Sequence, residues 1–205
     1  MNLFVLGATG HTGEHIVDIA LARSHQVIAF VRSPQKIVRR DARLRVVGGN
    51  LLDVDQIAKH LEGQDAVLSA LGVRPPQAFR PHSVVEECAA STVAAMTRTR
   101  VNRLVLVSAA VLFPLKGIQF AFFRWLLQHI SRDLGTAEEI VRATSLAWTI
   151  VRPPRLTNDP DDKYRLTRNA LPSKGHVASF KAVATFMIDA AEQQSHIREL
   201  VGLAR

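Results

Sequence analysis

The strongest constraint on how this chain can fold is its first segment, Leu3 to Gly13, which reads LFVLGATGHTG. Leu3, Phe4, Val5 and Leu6 are apolar without alternation, which suits a strand covered on both faces, as in a parallel sheet. Gly7, Gly10 and Gly13 follow at a spacing of three, and then comes an apolar-periodic helix carrying Ile16, Val17, Ile19 and Ala20. Strand, glycine turn and helix form the setting in which such a motif holds a dinucleotide pyrophosphate. There the unpaired amides and the positive dipole end of the helix face the phosphates. The pattern is G-x-x-G-x-x-G rather than the commoner G-x-G-x-x-G, with Thr9, His11 and Thr12 in the gaps. Small hydroxyls at such positions can hydrogen-bond phosphate oxygens without blocking their approach.

The rest of the chain repeats the strand and helix rhythm. Strands are predicted over Gln26–Val31, Leu44–Val47, Asp65–Leu71, Val101–Ser108 and Leu146–Arg152, with a short last one over Glu199–Leu203. Asp53 is placed to cap a helix through Leu61. Pro81 is placed to open a long helix from His82 to about Arg98. Further helices are expected from about Leu134 to Thr144, and from a Ser179 cap to about Gln193. This alternation predicts an α/β fold, a doubly wound Rossmann sheet of six to seven parallel strands with helices on both faces. One domain spanning 1–205 is expected. Arg74 to Pro81 and Thr157 to Ser173 read as loops. The stretch from Leu112 to Ile130 holds Phe113, Phe120, Phe122, Phe123 and Trp125. It reads as core, interface or lid ahead of a membrane contact.

In such a sheet the residues just past the strand ends line the ligand crevice. After the first strand these are the glycines. After the second come Arg32, Ser33 and, one turn on, Lys36. An NAD site places a carboxylate there for the ribose 2′-hydroxyl; a guanidinium offers bidentate hydrogen bonds and a permanent charge to a 2′-phosphate. The expected cofactor is therefore NADP(H) in preference to NAD(H). Asn50 and Leu51 fall near the adenine, Ala70, Leu71 and Gly72 toward the ribose and nicotinamide, and Ser108 ends the fifth strand on the same crevice.

The chain has 26 Lys and Arg against 18 Asp and Glu, a net charge of +8. Six of the basic residues fall between Arg32 and Arg45. No helix-turn-helix, zinc-ligand spacing or aromatic RNA-binding signature accompanies them, so no nucleic-acid partner and no metal are expected; nucleic-acid or acidic-membrane binding would show as affinity falling steeply with salt. The single cysteine, Cys88, rules out an intrachain disulfide and fits a reducing compartment. No leader pattern and no spanning apolar stretch stand out, so a cytoplasmic protein without integral membrane association is expected, as monomer or homodimer.

Together, GATGHTG (Gly7–Gly13), FVRSPQK (Phe30–Lys36), GGNLLD (Gly48–Asp53), DAVLSALG (Asp65–Gly72), LVLVSA (Leu104–Ala109) and WTIVRPPRL (Trp148–Leu156) give the chain an end-to-end family likeness. It resembles the atypical short-chain dehydrogenase/reductase group that contains NAD(P)-binding, NmrA-like and biliverdin-IXβ/flavin reductase proteins. The resemblance implies that Gly7, Thr9, Gly10, Thr12 and Arg32 hold the dinucleotide, that Ser108 lies near the nicotinamide, and that Pro153 to Arg155 contact it or the substrate. The chain departs from the group in three places. The usual Tyr-x-x-x-Lys is missing, since the only tyrosine is Tyr164 and Arg168 stands four residues on. Arg155 stands where the flavin-reductase type has a histidine, and Asn50 where relatives often have Asp.

Without the tyrosine, reduction of a carbonyl to an alcohol loses its expected proton donor. Acceptors that take hydride into a delocalised π-system and a proton from water fit better: flavins, quinones and linear tetrapyrroles. The expectation is an NADP(H)-dependent reductase of such a small planar acceptor. Ser108 would orient nicotinamide or substrate, and Arg155 would attract an anionic group or stabilise developing charge. The alternative is a non-catalytic NADP(H)-binding redox sensor of the NmrA-like type.

Overall fold

The computed structural model describes residues 1–72, 83–114 and 127–205. The Arg74–Pro81 loop, the Pro81–His82 helix start and Phe120 to Leu126 of the aromatic stretch lie outside the described residues. Ten strands are described: β1 (Asn2–Leu6), β2 (Gln26–Val31), β3 (Leu44–Gly48), β4 (Ala66–Ser69), β5 (Arg103–Val107), β6 (Ala147–Arg152), β7 (Arg155–Thr157), β8 (Arg165–Arg168), β9 (Val177–Ser179) and β10 (Glu199–Ala204). The helices are α1 (His11–Ala22), α2 (Val54–Leu61), α3 (Val84–Thr99), α4 (Gln128–Arg142) and α5 (Phe180–Glu192).

Eight strands form one sheet in the order β3-β2-β1-β4-β5-β6-β10-β8. All neighbours are parallel except β10 and β8, which run antiparallel. The unalternating first strand has the predicted explanation. Leu3 and Val5 enter the cluster formed with α1 and α5, while Phe4 and Leu6 enter the opposite cluster formed with α2, α3 and α4. The order of the strands reverses between β1 and β4, which puts the ligand crevice beyond the C-terminal ends of those two strands.

Helix starts are fixed by side chains. Asp53 accepts from the amide of Gln56 (3.0 Å), and Ser179 from that of Ala182 (2.8 Å). Ser83 makes no such bond at the start of α3. Instead buried Asp133, on α4, accepts from the amides of Val85 (3.1 Å) and Glu86 (2.8 Å), placing a carboxylate at the positive end of the helix.

Three expectations change. The stretch read as a loop from Thr157 to Ser173 contains β8, an edge strand whose Arg165, Thr167 and Arg168 are exposed; only Leu166 carries an apolar signal there. A second, two-stranded sheet joins β7 to β9. Helix α4 begins at Gln128 rather than near Leu134, because Ile130 already belongs to the stripe of Leu134, Ala137 and Val141 that packs on the core. Within the aromatic stretch Phe113 is core, at 4% exposure.

Candidate functional site

At the crevice the backbone of Gly7 has φ +80°, and a Cβ there would stand 2.5 Å from the carbonyl oxygen of Ala70. A Cβ on Gly13 would stand 2.1 Å from the carbonyl oxygen of Gly7 and 2.7 Å from Cα of Ala8. The two glycines therefore let three backbones touch: the end of β1, the end of β4 and the first turn of α1. Gly10 plays another part. It is the N-cap of α1 with no side-chain cap, its amide donates to Gly7 O (2.9 Å), and Glu14 N bonds back to Gly10 O (2.8 Å). The first-turn amides of His11, Thr12 and Gly13 have no carbonyl to bond within their own helix, and no side chain at position 10 stands over them. The arrangement fits a bound pyrophosphate.

Around this cradle the predicted residues come to one edge of the sheet. Arg32, exposed, follows β2; Ser33 is half-buried, and Lys36 ends a 3-10 turn that opens at Pro34. Among the described residues Arg32 has neither an ion-pair nor a hydrogen-bond partner, and no carboxylate stands beside it in sequence. Its positive charge acts on the Cys88 thiol of α3. Asn50 holds its own turn: its Oδ1 accepts from Leu52 N (3.0 Å) and its backbone N–H donates to Gln56 Oε1 (3.1 Å). The carbonyl of Leu51 accepts from Ser91 of α3 (2.9 Å), which fixes this loop beside the crevice. Ala70, Leu71 and Gly72 leave β4, with Ala70 N bonded to Leu6 O (3.0 Å). Thr12 is buried, and the exposed His11 ring lies tilted against Phe180 at 4.9 Å, joining the first turns of α1 and α5.

On the far side of the switch point, Ser108 N donates to Val151 O (2.8 Å) and Ala110 N to Pro153 O (2.9 Å), so the ends of β5 and β6 are laced together. Ser108 is 7% exposed, and its hydroxyl has no hydrogen-bond partner among the described residues. A buried hydroxyl left unpaired costs about 1–3 kcal/mol, so such a group at a crevice is poised for a ligand. Arg155 opens β7, exposed, opposite Val177 of β9. Tyr164 is elsewhere. Its hydroxyl donates to Asp189 (2.8 Å), which also pairs with Arg23 (2.7 Å), the C-cap of α1, at the helix ends away from the crevice. Burial and the bond to Asp189 push its pKa above the usual phenol value.

Sequence reasoning passed over one feature of the site. Arg152, the last residue of β6, donates through Nε (2.9 Å) and Nη2 (2.5 Å) to Glu138 of α4, and its guanidinium lies 4.8 Å over the Phe113 ring. Both charges are buried, at 9% and 2% exposure. The available signal was an arginine closing an apolar strand and a glutamate on an otherwise apolar helix stripe, 14 residues apart.

Burial, against a smaller opposing effect of Arg32, pushes the Cys88 thiol up to about 11. The native protein should therefore show almost no reaction with Ellman's reagent at about pH 8, and one thiol per chain once unfolded. A fast native reaction would show that α3 opens over the crevice.

A family model described as NAD(P)H-binding matches residues 7–194. Oxidoreductase stcQ of Emericella nidulans is 29% identical, covering 96% of this chain and 80% of its own length. Among solved structures, a Rossmann-fold NAD(P)-binding family protein from Shigella flexneri superposes with a TM-score of 0.80 at 25% identity, over 100% of this chain and 93% of that one. A wide-type short-chain dehydrogenase/reductase from Veillonella parvula, solved in complex with NADP, gives 0.80 at 20% identity, over 100% and 94%. No helix among the described residues is long and apolar enough to cross a membrane.

Proposed function

The chain belongs to the NAD(P)H-binding family, and we propose that it is an NADP(H)-dependent oxidoreductase that passes hydride to a small planar conjugated acceptor such as a flavin, a quinone or a linear tetrapyrrole. The single observation that carries the cofactor choice is Arg32, a cation without an ion-pair partner among the described residues, at the end of β2 beside the glycine cradle. The first turn of α1, with Gly7, Thr9, Gly10, His11, Thr12 and Gly13, holds the pyrophosphate. Arg32, Ser33 and Lys36 hold the 2′-phosphate. Asn50 and Leu51 border the adenine; Ala70, Leu71, Gly72, Ser108 and Pro153 border the ribose and nicotinamide.

When bound, the nicotinamide supplies the hydride. The chain's own contribution is placement: Ser108 orients nicotinamide or acceptor, and Arg155, exposed at the mouth, draws in an anionic substituent. The absence of a Tyr-x-x-x-Lys pair in the sequence supports an acceptor of this class. Helix α4, which bridges β5 and β6, holds neither Tyr nor Lys, and Tyr164 is committed to Asp189. The proton then comes from water.

Arg32→Glu tests the cofactor assignment. A carboxylate facing the 2′-phosphate should weaken NADP+ by about a hundredfold and NAD+ by less than about threefold, read by calorimetric titration. Equal losses for the two dinucleotides would mean that Arg32 is not the selector.

A further inference from the structure

The ends of β5 and β6 carry a hydroxyl and a guanidinium whose hydrogen-bonding capacity is not all used among the described residues. Val107 of β5 and Val151 of β6 are register partners, so Ser108 and Arg152 are the next pair along the ladder. Side chains of registered residues on parallel strands point to the same face, about 5 Å apart. That face is the one covered by α4. Leu106 and Ile150, two residues back on each strand, lie in the cluster that α4 covers, and Arg152 reaches Glu138 of α4. The Ser108 hydroxyl is buried without a partner among the described residues. The guanidinium spends Nε and one Nη2 hydrogen on Glu138 and, among the described residues, has no hydrogen bond through Nη1, which retains two donors on the opposite side of the fork. The Phe113 ring against the guanidinium plane keeps that fork from turning. Both residues are more than nine-tenths buried.

We propose that Ser108 Oγ and Arg152 Nη1 form a two-donor hook for one carbonyl oxygen of the acceptor, beside the face that receives hydride. This rests on the reading above and names the feature of the acceptor that is recognised, a carbonyl conjugated with its ring system. Hydride adds to a ring atom conjugated with that carbonyl. The C=O π pair moves onto oxygen, and the new oxyanion is held by the serine O–H and the arginine N–H. Water then supplies one proton, so the acceptor gains a hydride and a proton while the nicotinamide is oxidised. Donors fixed in a dry site before the charge develops are the arrangement that stabilises such an oxyanion most. Because Glu138 neutralises the arginine, the hook favours an oxygen that is neutral in the ground state and charged only after hydride arrives. Arg152 and Ser108 would touch the acceptor; Glu138 and Phe113 are positioning residues.

A phenolate imitates that oxyanion, and 4-nitrophenolate reports its own hydrogen bonding by its absorbance. The purified full chain is saturated with NADP+ and titrated with 4-nitrophenol. Wild type should bind the phenolate with a shifted visible band, and Ser108→Ala, also saturated with NADP+, should weaken it about tenfold. The double variant Glu138→Leu/Arg152→Met removes the cation without stranding a carboxylate and should weaken it by a comparable factor. Glu138→Gln, which keeps an acceptor on the guanidinium, should fall between wild type and the double variant in both affinity and band position. Failure of wild type to bind NADP+ overturns the dinucleotide reading. Binding of NADP+ with no phenolate binding, or with phenolate affinity unmoved by Ser108→Ala and by the double variant, overturns the hook alone.

Discussion

Gly13→Ala will unfold far more readily than wild type and will lose dinucleotide binding with it. The added Cβ would meet the carbonyl oxygen of Gly7 at 2.1 Å and Cα of Ala8 at 2.7 Å. Both are backbone atoms, so no side-chain rotation relieves the contact, and α1 must separate from the end of β1. The cost should reach about 3 kcal/mol, at the top of the range for overpacking. It is read as a lower urea midpoint with unchanged slope. Gly10→Ala is the comparison. A Cβ there meets only Gly7 O at 3.3 Å, so stability should shift by less than about 1 kcal/mol while the methyl stands over the first-turn amides. A Gly13→Ala protein as stable as wild type would show that the turn can open without cost, and the cradle described here would be wrong.

The second large effect belongs to Arg152→Met. Removing the guanidinium leaves Glu138, at 2% exposure, as a buried carboxylate without its two hydrogen bonds. Breaking a buried pair in this way costs about 3–5 kcal/mol, whereas replacing both members by apolar groups is often near neutral. Glu138→Leu/Arg152→Met should therefore recover most of the loss in thermal or urea unfolding. If the single variant lost less than about 1 kcal/mol, Glu138 would have water or another partner in the native state.

Much of the crevice can be read along the chain because its parts are local. Gly7, Gly10 and Gly13 fall within one turn, and Arg32, Asn50, Ala70, Ser108 and Pro153 each follow the end of a strand announced by an apolar run. In a parallel sheet all such ends lie on one edge, so listing strand ends lists the lining of the site. Edge strand β8 escaped for the opposite reason. Its residues face solvent and another strand, and Arg165, Thr167 and Arg168 carry no burial pattern.

Charge shows the same division. The net charge of +8 suggests a basic surface, yet among the described residues two arginines serve inside the fold. Arg103 donates to the carbonyls of Ala147 (2.7 Å), Ala190 (2.8 Å) and Ser195 (2.9 Å), tying the end of α5 to the sheet, and Arg152 closes on Glu138. Desolvation lowers the pKa of Arg103 to about 10. Composition counts such residues but cannot tell an internal guanidinium from an exposed one.

The sequence by itself determined the strand and glycine-turn start, the parallel α/β architecture, the cation after β2 and the lack of a Tyr-x-x-x-Lys pair, because each depends on residues close together in the chain. Only the tertiary structure decided that Asp133 caps α3, that Tyr164 points away from the crevice, and that Ser108 and Arg152 stand side by side with donors to spare. Those facts depend on which strands become neighbours and in what register, which sums over long-range packing and is written in no single segment. The glycines of the first turn build the cradle proposed for the dinucleotide; the meeting of β5, β6 and α4 shapes what stands beside it.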